Sequence, residues 1–318
     1  MFALFLSLRI HVNLDLPFSY YSEKRYFCKV SNLKEEKLEK NPQNNVLKIN
    51  VREILHTKAP HKKVPEFLIR YLERIAHQDE LNQFLEEKAG ISGIEFVEAS
   101  VKFINIKVLV EGLDTLPEGR FTFVGNHPLG GIDGLATGYE VYKRYPRQGI
   151  RFISNDLLTN IENLRPVFIP VNKIGNQSQQ RSLPQRLSEA YGSDEQMVIF
   201  PAGICSRRIK GEITELQWQK SFISKSIESN RDVVPVYFQG RNSNFFYNLA
   251  NLRKFLGIKT NIEMLYLSDE MFKQRGKTFK VLFGKPIPVS TFDKSKTHQE
   301  WADHVREMTL ALGKKINS

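Results

Sequence analysis

The sequence has few cysteines, no long apolar run and no internal repeat. Cys28 and Cys205 are the only cysteines among 318 residues. They show no C-x-x-C spacing, which excludes a disulfide framework and a cysteine-based metal site and is typical of a reducing compartment. No stretch approaches the ~20 apolar residues that cross a bilayer. We therefore expect a chain that can touch a membrane without crossing it.

The first residues of the sequence do not show the pattern of a secretory signal peptide. The apolar stretch from Met1 to Leu8 is short, and Arg9 and His11 follow it rather than precede it. A signal peptide has its positive charge first and a small-residue cleavage site after the apolar run. The sequence therefore predicts a cytoplasmic protein that could touch a membrane without crossing it.

Acidic residues are outnumbered, with 35 Asp+Glu against 46 Lys+Arg and a formal net charge of +11. A basic surface suits nucleic acid, an anionic membrane or an acidic carrier protein, and charge alone does not choose among them. No recognised nucleic-acid motif is present, so we expect no nucleic-acid partner.

The composition predicts a globular protein with three parts. Hydrophobic residues make up 41% of the chain, enough for a full-sized core. Residues 1–45 lack sustained periodicity and are predicted to be a poorly ordered arm. Residues 46–98 are predicted to be a helical element that packs on the core, and residues 99–318 an α/β domain.

Two short helices are predicted before the α/β domain, the second over about residues 79–88. In the first, the apolar residues recur every three or four positions and share one helical face. These residues are Val64, Phe67, Leu68, Tyr71, Leu72 and Ile75. Packing against the core is one interpretation of this pair, and a membrane-facing or substrate-tunnel element is the other.

Beyond residue 100, apolar runs alternate with helix-like stretches. Strands are predicted at residues 103–108 and 121–124 and in five later runs. Those runs are residues 167–171, 197–200, 233–238, 262–267 and 279–283. Helices are expected near residues 135–145, 178–191, 215–229, 245–256 and 298–312. This alternation predicts an α/β fold with a mixed, largely parallel sheet flanked by helices.

The stretch Val124-Gly-Asn-His-Pro-Leu-Gly-Gly-Ile-Asp-Gly134 carries the strongest chemical signal. His127 follows a buried strand, and a glycine-rich bend leads to Asp133. Positions six apart do not share a helical face, so a loop must bring the two together. An imidazole held by a carboxylate can take a proton from a hydroxyl. We predict that His127 and Asp133 are catalytic, against the alternative of a structural histidine.

A metal site would need further ligands. His56, His61, His298 and His304 show no ligand spacing with His127. We therefore expect no metal and no cofactor.

A second strand ends in Phe200-Pro-Ala-Gly-Ile-Cys-Ser-Arg-Arg208. Backbone amides near Gly203 and the side chains of Ser206, Arg207 and Arg208 are candidates for binding an anion, although the arginines could instead form a solvated surface. Cys205 has no basic neighbour that would make it a nucleophile.

Two further blocks follow the same plan. Phe168-Ile-Pro-Val-Asn-Lys173 ends a strand with a cation, and residues 233–236 form a strand that contains a proline.

Together the four blocks, over about residues 120–240, resemble the glycerolipid acyltransferase family, whose best-known members are the lysophosphatidate acyltransferases. Its pattern is Asn-His, four residues and Asp; a strand ending in a basic residue; Phe-Pro-Glu-Gly with a nearby Arg; and a strand with Val-Pro. This sequence departs from it, because five residues separate His127 from Asp133 and Ala202 replaces the Glu. The set resembles the bacterial branch labelled hemolysin-like, implicated in acylating lyso-amino-acid lipids.

The resemblance implies an O-acyltransferase in which His127 and Asp133 form the catalytic dyad. Substrate contacts carry over to Asn126, Lys173, Gly203, Ser206, Arg207 and Arg208. The implied acyl donor is a thioester of acyl carrier protein or coenzyme A, and the implied acceptor is a lysolipid, either lysophosphatidate or a lyso-amino-acid lipid. A basic surface suits an acidic carrier protein and an anionic membrane. For a bacterial protein, the resemblance implies a cytoplasmic location with peripheral association at the inner membrane.

Three other function classes stay open from the sequence. The hemolysin label suggests a non-catalytic protein that binds or perturbs membranes. The positive charge suggests a nucleic-acid binder. A hydrolase with the same dyad is the third, although no paired serine nucleophile is evident.

Overall fold

The computed structural model describes residues 48–58, 63–154, 161–170 and 177–314. The predicted arm at residues 1–45 lies outside the described residues. Within the described ranges, no helix has both the length and the apolar character needed to cross a bilayer.

The described residues form ten α-helices and nine strands. The helices are α1 (Val51–Lys58), α2 (Glu66–Ile75), α3 (Gln78–Glu87), α4 (Ile94–Ile104), α5 (Ile132–Arg144), α6 (Gln177–Gly192), α7 (Ser221–Glu228), α8 (Asn244–Phe255), α9 (Leu267–Phe272) and α10 (His298–Lys314). The strands are β1 (Lys107–Glu111), β2 (Phe121–Gly125), β3 (Ile150–Ser154), β4 (Phe168–Pro170), β5 (Gln196–Ile199), β6 (Arg207–Ile209), β7 (Glu212–Thr214), β8 (Asp232–Phe238) and β9 (Thr278–Phe283).

Seven strands form one sheet in the order β1-β9-β8-β2-β5-β3-β4. All neighbours are parallel except β8 and β9, which are antiparallel. Strands β6 and β7 form a separate antiparallel hairpin. The predicted mixed, largely parallel sheet flanked by helices is confirmed.

Strand β2 lies inside the sheet and is buried along its whole length. Because side chains alternate across a strand, Phe121 and Phe123 pack on one face with α4 and α5, and Val124 packs on the other with α7 and α10. Burial on both faces explains the continuous apolar run. The carboxyl end of β2 lies at the edge of the sheet where ligands of parallel sheets bind.

The predicted strand at residues 103–108 is wrong in its first half. Helix α4 continues through Ile104 and ends at Asn105, whose φ of 53° is left-handed. Phe103 stacks on Phe84 with ring centroids 4.4 Å apart, and Ile104 is buried. The helical spacing of buried residues therefore continues to Ile104, and β1 begins only at Lys107. Helix α4 also runs across the predicted boundary at residue 98.

The predicted strand at residues 262–267 is also wrong. The segment Ile262–Tyr266 is a 3-10 helix that leads into α9. Glu263 is fully buried there and forms ion pairs with Arg207 and Arg253. The apolar run is interrupted by a carboxylate whose partners are distant in sequence, so local periodicity was misleading. The helix predicted at residues 215–229 begins only at Ser221, because residues 215–220 form a loop.

Candidate active site

Asn126 closes the carboxyl end of β2 against β8. Its side-chain amide donates to the Phe238 carbonyl at 2.9 Å, and its oxygen accepts from the Phe238 N–H at 2.7 Å. The side chain is buried. Asn126, predicted to bind substrate, therefore fixes the backbone from which His127 emerges.

Asp133 lies in the first turn of α5 and is fully buried. Its Oδ2 accepts from the N–H groups of Leu129 at 2.8 Å and Gly130 at 3.3 Å, and its Oδ1 accepts from Gly134 at 2.8 Å. Gly130 has a φ of +91°, which lets the loop fold around the carboxylate. The amino end of α5 adds favourable charge for an anion.

His127 and Asp133 are brought together by this loop, as predicted from the spacing. The Nδ1 atom of His127 lies 3.2 Å from Oδ1 of Asp133. The extra residue between them is absorbed by the bend, whose Leu129 and Gly130 amides bind the carboxylate. The His127 side chain is 15% exposed, so the ring is reachable from solvent.

The electrostatics of the pair favour a charged complex. Burial opposes the imidazolium, but the Asp133 carboxylate outweighs it and Glu215 adds to the effect, so the pKa of His127 is raised above its ordinary value. Burial likewise opposes the Asp133 carboxylate, yet His127 and the Leu129 and Gly130 amides hold the pKa of Asp133 below its ordinary value. Asp133 is thus suited to stabilise the protonated form of His127.

The Phe200 ring packs against the imidazole of His127. The two rings stack with centroids 4.8 Å apart and planes inclined by 27°. Phe200 immediately follows β5, the strand that pairs with β2, so the sheet places the two side chains side by side. This role of Phe200 was not predicted from the sequence, although the Phe-Pro-Ala-Gly block was its signal.

Glu215 is a second buried carboxyl group at the site, and it was not predicted from the sequence. Its Oε1 accepts from the backbone N–H of His127 at 3.1 Å and from the hydroxyl of Ser206. The Ser206 N–H in turn donates to the His127 carbonyl at 2.9 Å. Burial raises the pKa of Glu215, an effect that the Ser206 and His127 donors partly offset. Ser206 and Glu215 therefore hold both backbone polar groups of His127.

Helix α10 holds the Glu215 segment from the outside. The Arg306 guanidinium donates to the Glu215 carbonyl at 2.6 Å and to the Leu216 carbonyl at 3.2 Å. Both carbonyls belong to the loop that follows β7. The predicted C-terminal helix thus braces the loop whose carboxylate contacts His127.

The two arginines predicted to bind substrate have different surroundings. Arg207 is buried, donates to the Cys205 carbonyl at 3.0 Å and pairs with Glu263 at 3.3 Å. Arg208 is partly exposed and donates to Asn244 at 2.6 Å and Asn248 at 2.9 Å on α8. Arg208 is the better placed of the two to meet a ligand, and binding by either stays a prediction.

The remaining predicted site residues are a glycine and a lysine. Gly203 is exposed with a φ of +72°, and its N–H donates to the Phe200 carbonyl at 3.0 Å, which closes the turn after β5. Lys173 lies outside the described residues.

The expectation that Cys205 has no basic neighbour is wrong, because the Arg207 guanidinium lies 3.0 Å from its sulfur. Burial nevertheless outweighs Arg207 and raises the pKa of Cys205 to about 11. A thiol of that pKa carries almost no thiolate at neutral pH, which argues against a cysteine nucleophile. Within the described ranges, no group of three His, Cys, Asp or Glu side chains is arranged to hold a metal.

A small apolar void lies beside the helix that carries Asp133. Its lining includes Ile132 and Leu135 of α5, and the others come from α3, α4 and the end of α9. Those others are Leu81, Phe84, Ser100, Val101, Phe103, Ile104 and Met271. The void, of about 20 Å³, lies in the hydrophobic core between the N-terminal helices and α5, and it has room for no more than about one water molecule.

Comparison with known proteins points to one chemistry. A family model described as Acyltransferase matches residues 53–318. A lyso-glycine lipid O-acyltransferase from Bacteroides thetaiotaomicron is 53% identical over 267 residues, which cover 83% of this chain and 97% of that protein. A protein of the same name from Phocaeicola vulgatus is 50% identical over 281 residues, covering 87% of this chain and 100% of that protein.

Among solved structures, the 1-acyl-sn-glycerophosphate acyltransferase PlsC from Thermotoga maritima is similar with a TM-score of 0.43 and 16% identity. The match covers 79% of this chain and 90% of that one.

Proposed function

Because this chain belongs to the acyltransferase family, we propose that it transfers a fatty acyl chain from a thioester to the hydroxyl of a lysolipid at a membrane surface. The observation that carries the proposal is the 3.2 Å approach of His127 to the buried Asp133. Membership of the family gives the reaction class, and His127 held by Asp133 gives a general base for that reaction.

In the proposed reaction, His127 takes the proton of the acceptor hydroxyl as its oxygen attacks the thioester carbonyl. Asp133 holds Nδ1 and stabilises the imidazolium, so Nε2 is the nitrogen that receives the proton. The C–O bond forms, the C–S bond breaks, and the proton passes to the leaving thiolate. The products are an acylated lipid and a free thiol.

The tetrahedral intermediate needs a hydrogen-bond donor for its oxyanion. Backbone amides near Gly203 are candidates for binding an anion from the sequence, and the turn at residues 201–203 is the place to look for this donor. Pro201 has no N–H, and the Gly203 N–H is used by the Phe200 carbonyl. We therefore assign the Ala202 N–H as the candidate donor of this turn.

We propose a lyso-glycine lipid as the acceptor, with acyl carrier protein or coenzyme A thioester as the donor. Two relatives of about half identity, matched over nearly their whole length, bear that acceptor in their names. Ala202, in place of the Glu of the lysophosphatidate enzymes, is consistent with a headgroup other than phosphate.

The test is an acyl-transfer assay with both donors and three acceptors: lyso-glycine lipid, lyso-ornithine lipid and lysophosphatidate. We expect wild-type protein to acylate lyso-glycine lipid preferentially. The His127→Ala variant should lose about 10²–10⁴-fold in kcat. His304→Ala, which removes an exposed histidine of α10, is the matched control and should keep wild-type turnover.

Transfer that persists in folded His127→Ala would overturn the mechanism. Transfer only to another acceptor would overturn the proposed headgroup while keeping the reaction class. If no acceptor reacts but the protein makes vesicles leak, the non-catalytic membrane-binding alternative replaces the proposal.

A further inference from the structure

Helix α8 is apolar on two faces. Its inward face is formed by Phe246, Tyr247 and Ala250, which are buried. A second apolar stripe with helical spacing runs along the outside: Phe245, Leu249, Leu252 and Leu256. A helix on the surface of a globular domain normally has a polar outer face, so this second stripe needs a separate explanation.

The stripe is part of a larger surface. Of the ten large apolar side chains that are exposed in the described ranges, seven lie on α8, the turn after it and α2. They are Phe67, Leu68, Phe245, Leu252, Phe255, Leu256 and Ile258, and we call them the outer apolar surface. The most exposed are Phe255 at 87% and Phe67 at 75%. Such clustering marks an interaction surface.

Tyr266 connects the two helices that carry this surface. Its hydroxyl lies 2.7 Å from that of Tyr71 on α2, and its ring lies 4.8 Å from that of Phe245 on α8. Within the protein, Arg253 pairs with the buried Glu263 at 2.9 Å, which ties the far end of α8 to the same 3-10 helix. The outer apolar surface is therefore carried on a fixed frame.

The charge next to the α8 part of the outer apolar surface is positive, whereas on α2 the exposed carboxylate Glu66 beside Phe67 is paired with Arg52 and Arg70. Residues 233–262 contain no Asp or Glu, but four basic residues. Lys254 and Lys259 are exposed beside Phe255 and Ile258. Lysine ammonium groups next to exposed apolar side chains suit a lipid interface, because the apolar side chains enter the acyl region and the ammonium groups stay with the anionic headgroups.

The outer apolar surface is close to the candidate active site. Arg208, at the second position of β6, bonds to Asn244 and Asn248 on α8. Ser206, two residues earlier, bonds to the backbone of His127. A membrane in contact with α8 would therefore lie near the segment that holds the backbone of His127.

We propose that the outer apolar surface inserts into the interface of an anionic bilayer, with α8 lying in its plane. The proposal rests on the proposed function and names the surface that membrane association would use. A bilayer fits better than a second protein copy, because lysine is depleted at the centre of protein interfaces and favoured at anionic lipid.

Sedimentation with vesicles tests the surface. The vesicles contain phosphatidylcholine with or without phosphatidylglycerol, and neither lysolipid nor acyl donor, so the result does not depend on catalysis. We expect Phe255→Ser/Leu256→Ser to weaken binding to anionic vesicles at least ~10-fold, because two apolar side chains no longer enter the interface. Lys254→Gln/Lys259→Gln should weaken binding ~10-fold and reduce its salt dependence.

Leu109→Ser/Met308→Ser is the matched control, since both residues are exposed apolar residues outside the outer apolar surface. It should bind like wild type, and all three variants should keep the wild-type Tm. Equal binding by wild type and Phe255→Ser/Leu256→Ser would overturn the proposal. The proposal would also be overturned if wild-type protein did not bind anionic vesicles, whether it is monomeric or self-associates through this surface.

Discussion

At the scale of single residues, the candidate site consists of one histidine between two buried carboxyl groups with different roles. Asp133 contacts the ring and is held ionised by three backbone N–H groups. Glu215 contacts the backbone, and its pKa is shifted in the opposite direction. Opposite shifts in neighbouring carboxyl groups are typical of sites in which each has a distinct task.

The acid side of the pH–activity profile tests the role of Asp133. A general base works in its neutral form, so activity should fall as the pH drops through the pKa of His127. Asp133 raises that pKa and burial lowers it. In Asp133→Asn only the burial and the weaker effect of Glu215 remain, so the acid limb of kcat/KM should move to lower pH while maximal activity falls ~10²-fold or more. An acid limb that stays in place would contradict the assignment of His127 as the titrating base.

Glu215 is expected to act through the position of His127. Glu215→Ala removes the acceptor for two buried donors, the His127 N–H and the Ser206 hydroxyl, which costs about 1–3 kcal/mol for each unsatisfied group. We expect a lower Tm and a lower kcat with little change in KM. Glu215→Gln keeps a carbonyl acceptor, so its Tm should stay near wild type.

Because Glu215 also raises the pKa of His127, Glu215→Gln should shift the acid limb slightly downward. If the role of Glu215 were purely structural, the acid limb would stay in place. Full kcat and Tm in Glu215→Ala would show that Ser206 and the neighbouring backbone hold His127 without it.

At the scale of elements, the position of Asp133 depends on how closely α5 packs against the sheet. A Cβ atom added at Gly138 would lie 2.1 Å from the ring of Phe152 on β3. The absence of a side chain therefore allows α5 to approach β3. The sequence shows a glycine inside a predicted helix but not its partner ring, which comes from a later strand.

Gly138→Ala should therefore destabilise the protein by about 1–3 kcal/mol, because the helix or the Phe152 ring must move. Gly192→Ala is the control: it also lies in a helix, but nothing lies within 4 Å of the added atom. That variant should be neutral or slightly more stable, since alanine favours the helix. Equal Tm values for the two variants in thermal denaturation would contradict the packing argument.

At the scale of the whole molecule, the sequence predicted the layers but not all of the connections. Apolar runs buried on both faces have a local signature, so strands β2, β5, β8 and β9 were identified. The antiparallel pairing of β8 with β9 and the pairing of β1 with β9 join distant segments, and no local pattern contains them. The same limit explains the Glu215 contact, which links residues 88 positions apart. His127 and Asp133 were predicted because a single loop brings them together.

The contact between Arg306 of α10 and the loop after β7 can form only late in the synthesis of the chain. His127 and Asp133 are synthesised early, Glu215 follows, and Arg306 is added after all three. A nascent chain that already contains the dyad still lacks the side chain that holds the carbonyls of Glu215 and Leu216. The candidate site can be fully assembled only once the segment with Arg306 has left the ribosome and docked. A growing chain would thus contain His127, Asp133 and Glu215 before the side chain that braces the Glu215 loop is present.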